Sequence, residues 1–496
     1  MPVWEIDSAE ALQALASRLS AFVSERDAIT LAGDLGAGKT TFAQGLLSAL
    51  GVTEAATSPT YQIVHAYETP RRTVYHCDLY RLHPGDEEEI GFAEMCQTGA
   101  VVVEWPDIVA DVLPHDRLDV RIEGEGGTRR VTLTGFGAWE KKLARFRQIE
   151  AFLARCGWEG ARCLGLRGDA SARQFMRLLR AGETAMLMDW PTQSDGPPIR
   201  DGRPYCAIAH LAREGTPFIA VSHWLREHAG LSAPAVTASD KDAGLYLVED
   251  LGDAVFGDLI AGGEPLEPLY ALAVDGLSAV RASGVPRSLP GPGGGLYDVP
   301  AFDREAMDVE LDLLLQWYFR LEPVAADPAE MARSFVEAWS PHLDWLDKQP
   351  KTIALRDYHS PNLLLCRERD GLKRLGVIDF QDAVWTHPAY DLVSLLQDAR
   401  LDVPEAVEHA LYARYCEAAA AADPAFNAAA FARAYAILGA ERNTKILGIF
   451  ARLSMRDGKH VYLAHLPRIR RYLWRNLAHP ALGELKAWYE AHLHKA

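Results

Sequence analysis

Nowhere in the 496 residues do 18 or more apolar side chains run together, which argues against a membrane-spanning helix. The opening Met1-Pro2-Val3-Trp4-Glu5-Ile6-Asp7 lacks the basic stretch running into an apolar one that a secretory signal needs. Seven cysteines (Cys77, Cys96, Cys156, Cys163, Cys206, Cys366 and Cys416) form no C-x-x-C pair, and their odd, scattered placement suits free thiols in a reducing cytoplasm. Basic residues are scarce early on. Residues 1–139 hold 10 Lys and Arg against 21 Asp and Glu, a net of −11 out of −17 for the chain. So acidic a segment is poorly suited to gripping a phosphate backbone, and any RNA link would run through partner proteins. No internal repeat or low-complexity tract stands out beyond the glycines of 291–295, a loop tip. What remains is ordinary globular composition, 49% hydrophobic and 24% charged, at a length that implies two or three domains.

The first positive signal is Gly33-Asp34-Leu35-Gly36-Ala37-Gly38-Lys39-Thr40, followed by Thr41, which fits G-x-x-x-x-G-K-[ST] without a gap. Glycines at 33, 36 and 38 let successive N–H groups turn inward onto phosphate oxygens, and a helix starting just after adds its positive end. Lys39 would reach the β- and γ-phosphates, and Thr40 would hold Mg²⁺. The apolar Ala28-Ile29-Thr30-Leu31-Ala32 reads as the preceding strand and 41–50 as the following helix. Residues 8–24 predict an amphipathic helix capped by Ser8. Strands are expected at 63–67, 73–76 and 101–103, and a hairpin from 118–122 and 130–134. The Val101-Val102-Val103 strand ends in Glu104, placed where the metal-side acid of a P-loop fold belongs.

Together with Ser58-Pro59-Thr60, His76-x-Asp78-Leu79-Tyr80-Arg81 and Glu104-Trp105-Pro106, the loop resembles the small bacterial ATPase family TsaE (YjeE). That resemblance implies ATP hydrolysis in support of tRNA threonylcarbamoyladenosine formation, with TsaB- and TsaD-like partners and tRNA met only through them. It carries over Lys39, Thr40, Thr41 and Glu104 as ATP and Mg²⁺ ligands and Thr60 as a switch threonine. Asp78 would position water or metal. Trp105 has two readings, stacking on a base and apolar packing.

A helix over 139–154, with Leu143, Phe146, Ile149 and Phe152 on one side, follows without any Gly/Ser linker, so the expected domains are 1–139 and 140–496. Short strands come next, around a small-residue loop, Gly168-Asp169-Ala170-Ser171-Ala172-Arg173, that reads either as a plain hairpin or as a phosphate cover. Further on lie Asp357, Asn362 five residues later, and Asp379 closing the next apolar strand. In that order they form a phosphoryl-transfer set: Asp357 takes the proton of an attacking hydroxyl, and Asn362 and Asp379 hold Mg²⁺ on ATP. Asp391 is expected to brace this loop, and Asp382 to support it less directly.

This pattern resembles the aminoglycoside-phosphotransferase/choline-kinase superfamily. With 168–173, 247–252 and 442–453 it resembles, more narrowly, the AmgK family, kinases of the anomeric hydroxyl of N-acetylmuramate and N-acetylglucosamine in cell-wall recycling. The whole chain is then expected to be α/β: an N-terminal P-loop NTPase domain, then a bilobal protein-kinase-like domain (N-lobe about 140–252, C-lobe about 253–496, mostly helical). Asp169, Ser171, Arg173, Arg177 and Glu249 are the implied nucleotide contacts, Glu249 lying in a hinge over 247–251. One departure is plain. The third strand, Ala185-Met186-Leu187-Met188-Asp189, has no lysine for the α- and β-phosphates, and Arg173 or Arg177 stands in as a substitute. Two other readings stay open: a different small acceptor (an aminoglycoside, choline, homoserine), or a sugar-sensing pseudokinase that regulates the ATPase. In the helical half, long helices are expected at 405–422 and 424–455, with Glu441, Arg442 and Lys445 as polar candidates, and an exposed basic face on the helix after Leu466.

Overall fold

The computed structural model describes residues 3–52, 63–69, 72–83, 85–124, 127–165, 173–192, 195–284 and 286–493. They fall into two compact units, one of Met1–Pro191 and Thr237–Asp250, the other of Thr192–Val236 and Leu251–Ala496.

The first unit opens with β1 (Val3–Ile6), α1 (Ala9–Leu19), β2 (Ala28–Ala32), α2 (Lys39–Ala49), β3 (Val64–Glu68), β4 (Thr73–Asp78), α3 (Phe92–Thr98), β5 (Ala100–Glu104), β6 (Arg117–Glu123) and β7 (Arg129–Phe136). The sheet runs β1-β7-β6-β2-β5-β4-β3. Its centre is parallel: β2 pairs in parallel with β5 and β6, and β4 with β5. Parallel strands covered on both faces read as unbroken apolar runs, which is why Val101, Val102 and Val103 are fully buried. β6 and β7 form the expected antiparallel hairpin. Ser8 caps α1 by accepting the Ala11 N–H at 3.1 Å. The α-helix is shorter than its apolar spacing predicts, stopping at Leu19 and tightening into a 3₁₀ turn over Ser20–Phe22. The Ser17 and Ser20 hydroxyls donate to carbonyls three residues back, at 2.7 Å each, and compete with the regular ladder there.

α4 (Ala138–Arg155) serves two cores. Trp139, Leu143 and Phe146 pack with the P-loop sheet. Ile149, Phe152 and Leu153, further along the same face, pack with a second sheet. That sheet contains β8 (Arg162–Gly165), β9 (Gln174–Arg180) and β10 (Glu183–Asp189), joined by strands Leu245–Val248 and Val236–Asp240 beyond β10. Polar contacts reinforce the apolar ones. Arg18 on α1 grips Glu150 on α4 through Nε (2.6 Å) and Nη2 (2.9 Å) and donates through Nη1 to the Ala161 carbonyl at 2.6 Å. The Cys163 N–H donates to Ser17 Oγ at 2.9 Å.

The second unit is mostly helical. Its longest helix, Ala428–Asp457, starts later than apolar periodicity suggests, because Asn427 caps it through the Ala430 N–H at 2.9 Å. Pro328–Asp347 and Glu405–Ala422 are the next longest. The helix Leu466–Leu477 corrects the expectation of a simply solvated basic face. Arg471 pairs with Asp402, Arg470 with Glu322, and Arg475 with Glu405 and Glu408. Two short antiparallel pairs, Thr352–Ala354 with Val384–Thr386 and Leu363–Leu365 with Leu375–Val377, carry the segments that matter for chemistry.

Candidate active sites

In the P-loop, β2 ends at Ala32 and α2 begins at Lys39, so the turn between them is made by Gly33, Gly36 and Gly38 at φ +148°, +81° and +111°. A Cβ at Gly33 would lie 2.2 Å from the Ile122 carbonyl oxygen, and one at Gly38 would lie 2.8 Å from Leu12 Cδ2. At these two glycines the loop packs closely against β6 and α1, while Gly36 has open space. Lys39 is buried, donating through Nζ to the carbonyls of Gly33 (2.7 Å) and Asp34 (2.9 Å), 3.7 Å from the centre of the Trp105 ring. Burial lowers the pKa of this amine, against the raising pull of Glu104, Asp78 and Asp34. Thr40 Oγ1 donates to Glu104 Oε2 at 3.0 Å, and Thr41 follows in the first turn of α2. The parallel β4–β5 register sets Asp78 beside Glu104. A hydroxyl and two strand-end carboxylates are the hard oxygen donors that suit Mg²⁺ shared with phosphates.

His76, fully buried, stands with Nε2 3.1 Å from Glu104 Oε1. Sequence reasoning assigned it no role, although the His76-x-Asp78 spacing on one strand puts both side chains on the same face. Trp105 takes φ +60°, and its ring centre lies 4.9 Å from that of Tyr80. Thr60 lies outside the described residues.

In the second unit, the Asp357 N–H donates to the Leu355 carbonyl at 2.9 Å, closing a γ-turn on Arg356, whose φ is +73°. The positive-φ γ-turn is the rare and strained form, worth roughly 1–3 kcal/mol in a non-glycine residue. It persists because Arg356 is held from several directions. Its N–H donates to Asp391 Oδ1 at 2.9 Å, and Leu355 N–H donates to Asp391 Oδ2 at 2.6 Å. Its guanidinium donates to the Ala209 carbonyl at 2.7 Å and pairs with Glu310, and its carbonyl accepts from Arg442 at 3.4 Å. Asp391 is therefore the brace of this segment. Burial pushes its carboxyl up to about 7, against the two N–H donors.

Asn362 Nδ2 donates to the Asp357 carbonyl at 2.9 Å and lies 3.4 Å from Asp379 Oδ2, bringing the three sequence-predicted groups together. Asp379 also takes a positive φ, +60°, and accepts from Gln381 Nε2 at 3.2 Å. The same amide donates to Asp382 at 3.0 Å, and Asp382 accepts the Ala212 N–H at 2.6 Å, so Asp382 acts through its neighbours. With its amide nitrogen committed to Asp357, Asn362 keeps its carbonyl oxygen for a cation, and Asp379 supplies carboxylate oxygens. The donor set fits Mg²⁺. Burial raises the Asp357 carboxyl, but His359, Arg442, Lys445 and Arg356 outweigh it and leave the group below the usual carboxylate range. Asp357 is thus an anion at neutral pH, the state a proton acceptor needs.

Behind this loop lies a buried charge cluster. Glu310 also pairs with Lys445 Nζ at 2.8 Å. Glu441 is fully buried, and among the described residues neither of its carboxylate oxygens has a hydrogen-bond partner. Burial first, and Glu310 second, raise its pKa to about 8. Glu310 carries no motif, and nothing in the sequence pointed to it. Among the nucleotide candidates, Arg177 on β9 holds Asp250 through Nε (2.7 Å) and Nη2 (3.0 Å), and Arg173 stands 5.1 Å from the Trp190 ring centre. Glu249 directly follows the strand Leu245–Val248. β10 offers no lysine along Glu183–Asp189, as its sequence states. Asp169 and Ser171 lie outside the described residues.

Fold and sites define a kinase-type phosphotransferase with a P-loop domain at its N-terminal end. Comparison with known proteins agrees. The family model "Threonylcarbamoyl adenosine biosynthesis protein TsaE" matches residues 6–131, and "Phosphotransferase enzyme family" matches residues 162–434. The N-acetylmuramate/N-acetylglucosamine kinase of Caulobacter vibrioides is 39% identical over 351 residues, covering 69% of this chain and 95% of that protein. Its namesake in Pseudomonas aeruginosa is 32% identical over 363 residues, with 69% and 95% covered. The tRNA threonylcarbamoyladenosine biosynthesis protein TsaE of Bacillus subtilis is 37% identical over 136 residues, 27% of this chain and 85% of that protein. The chain belongs to the phosphotransferase enzyme family, with a TsaE-family domain ahead of the kinase. Among the described residues, no helix is long and apolar enough to cross a membrane.

Proposed function

We propose that the protein is a bifunctional cytoplasmic enzyme. Its second activity transfers the γ-phosphoryl group of ATP to the anomeric hydroxyl of N-acetylmuramate or N-acetylglucosamine. The observation that carries this reading is the meeting of Asp357, Asn362 and Asp379 on a braced, strained loop. Asp357 accepts the hydroxyl proton as the sugar oxygen bonds to the γ-phosphorus and the bond to the β-phosphate oxygen breaks. Asn362 and Asp379 would hold Mg²⁺, whose charge would offset that of the phosphates. Asp169, Ser171, Arg173, Arg177 and Glu249 are assigned to the nucleotide. The choice of sugar rests on the kinases of Caulobacter and Pseudomonas, each covered over 95% of its length.

The N-terminal domain is proposed to hydrolyse ATP in support of tRNA threonylcarbamoyladenosine formation, with TsaB- and TsaD-like partners and no tRNA contact of its own. Gly33, Gly36, Gly38, Lys39 and Thr41 would cradle the phosphates, and Thr40 and Glu104 would hold Mg²⁺. Glu104, supported by His76, also orients the attacking water. The net charge of −11 on residues 1–139 supports the partner-mediated reading.

Incubating full-length protein with labelled ATP and a panel of N-acetylmuramate, N-acetylglucosamine, an aminoglycoside, choline and homoserine tests the kinase. Phosphosugar formed by wild type and lost in Asp357→Asn supports the proposal. Sugar binding without phosphosugar would overturn it in favour of a sensing module. For the first domain, cells whose only copy is Lys39→Ala should lose threonylcarbamoyladenosine, and normal levels would refute the assignment.

A further inference from the structure

Among the described residues, none donates a hydrogen bond to the Asp357 carboxylate, so its aim is set by the backbone that carries it. That backbone is the γ-turn on Arg356. The backbone groups of Arg356 are held by Asp391 and Arg442, both within elements that pack on the loop. The side chain needs its own anchor, since a flexible arginine in free water would let the turn relax towards an ordinary φ. The Ala209 carbonyl accepts from one guanidinium nitrogen at 2.7 Å, and Glu310 supplies the charged anchor from the helix Arg304–Leu313, with no exposure to solvent. One carboxylate oxygen meets Arg356 Nη2, and the other lies 2.8 Å from Lys445 Nζ on the Ala428–Asp457 helix. That same helix supplies Arg442, which binds the Arg356 carbonyl at 3.4 Å. The Ala428–Asp457 helix thus reaches the Arg356 carbonyl directly through Arg442 and the Arg356 side chain through Lys445 and Glu310.

We propose that Glu310 is a positioning residue of the phosphotransfer reaction, fixing the Arg356 turn and with it the line along which Asp357 meets the acceptor hydroxyl. This rests on the kinase reading above. Glu310 touches neither substrate, so its loss should act on turnover rather than on affinity. Removing it alone leaves two buried cations short of a partner, a recognised route to misfolding. The double variant Glu310→Met with Lys445→Met removes one charge of each sign and keeps the net buried charge, so it separates aim from stability.

The experiment measures kcat and KM for ATP and N-acetylmuramate, beside thermal melting, in full-length Glu310→Gln, Glu310→Asp and the double variant. Asp357→Asn gives the background of ADP made elsewhere in the chain. A misplacement on the order of 1 Å can cost a hundredfold in rate. The expected result is a fall in kcat of about 10- to 100-fold in Glu310→Gln and in the folded double variant, both KM values within about threefold, and partial recovery in Glu310→Asp. A folded double variant with wild-type kcat overturns the proposal, as does a change confined to KM. Wild type that releases ADP above background without phosphosugar would sink the substrate assignment alone, and the Glu310 comparison would then be read on that ADP release.

Discussion

The two nucleotide sites reach unusual backbone geometry by opposite routes. In the P-loop itself the positive φ angles fall on Gly33, Gly36 and Gly38, residues that adopt them with no side-chain penalty, and the non-glycine exception at that site is Trp105, outside the loop. At the kinase centre they fall on Arg356 and Asp379, which do not. The first site is therefore nearly self-sufficient: a short stretch of sequence builds its loop, and among the described residues two neighbouring strand ends bring the carboxylates of Asp78 and Glu104 to it. The second depends on Asp391, Arg442, Glu310 and Ala209, gathered from four distant parts of the chain, to hold a turn that would otherwise relax. Motif recognition works on both, but only the first motif contains the reason for its own shape.

The largest expected effect that sharpens this contrast is chemical. Asp357→Asn should lower kinase kcat by about 10²–10⁴-fold while ATP binding, followed by calorimetry, stays within a few-fold, because general-base loss has that range. Next comes Gly33→Ala, whose Cβ would sit 2.2 Å from the backbone oxygen of Ile122. It should lower the melting temperature of the first unit further than Gly36→Ala, which has open space and carries only the left-handed penalty of about 1–2 kcal/mol. Equal losses at the two positions would show that conformation, and not crowding, limits the loop.

A pH effect separates the buried charge cluster from its surroundings. The Glu441 carboxyl is raised to about 8 by burial and by Glu310, so the folded state binds a proton that the unfolded chain releases near the ordinary value of 4.5. Its favourable contribution is full below 4.5, declines as pH rises, and is gone above about 8. Glu441→Gln, neutral throughout, should therefore match wild type at low pH and melt at least ~2 °C higher at pH 8.5. A pH-independent difference between the two melting curves would rule out this titration. The smallest effect belongs to the helix end at Ser8: Ser8→Ala should cost about 1 kcal/mol by chemical denaturation, with no change in either activity.

Much of the site was legible because phosphate chemistry keeps its residues at fixed local spacings. The loop of 33–41, the Asp357–Asn362 interval and the apolar strand leading to Asp379 could each be found by reading along the chain, and the structure puts Asn362 within hydrogen-bond reach of both Asp357 and Asp379. Other contacts join residues with no such relation. His76 meets Glu104 across neighbouring strands, Arg177 meets Asp250 across a sheet, and Glu310 meets Arg356 from a helix 46 residues upstream. The basic residues after Leu466 looked solvated for the same reason, since their acidic partners at 322, 402, 405 and 408 lie far away in sequence.

By itself, the sequence determined two phosphate-handling centres of unrelated design, because the groups that hold phosphate and metal must sit a set number of residues apart on a strand, loop or helix. It also determined the amphipathic face of the helix that follows the P-loop domain. Only tertiary structure decided that this face feeds two cores, and which buried carboxylate pairs with the arginine beside Asp357. Those outcomes depend on which distant surfaces exclude water together, and burial turns an ordinary ion pair into one the fold cannot lose without consequence.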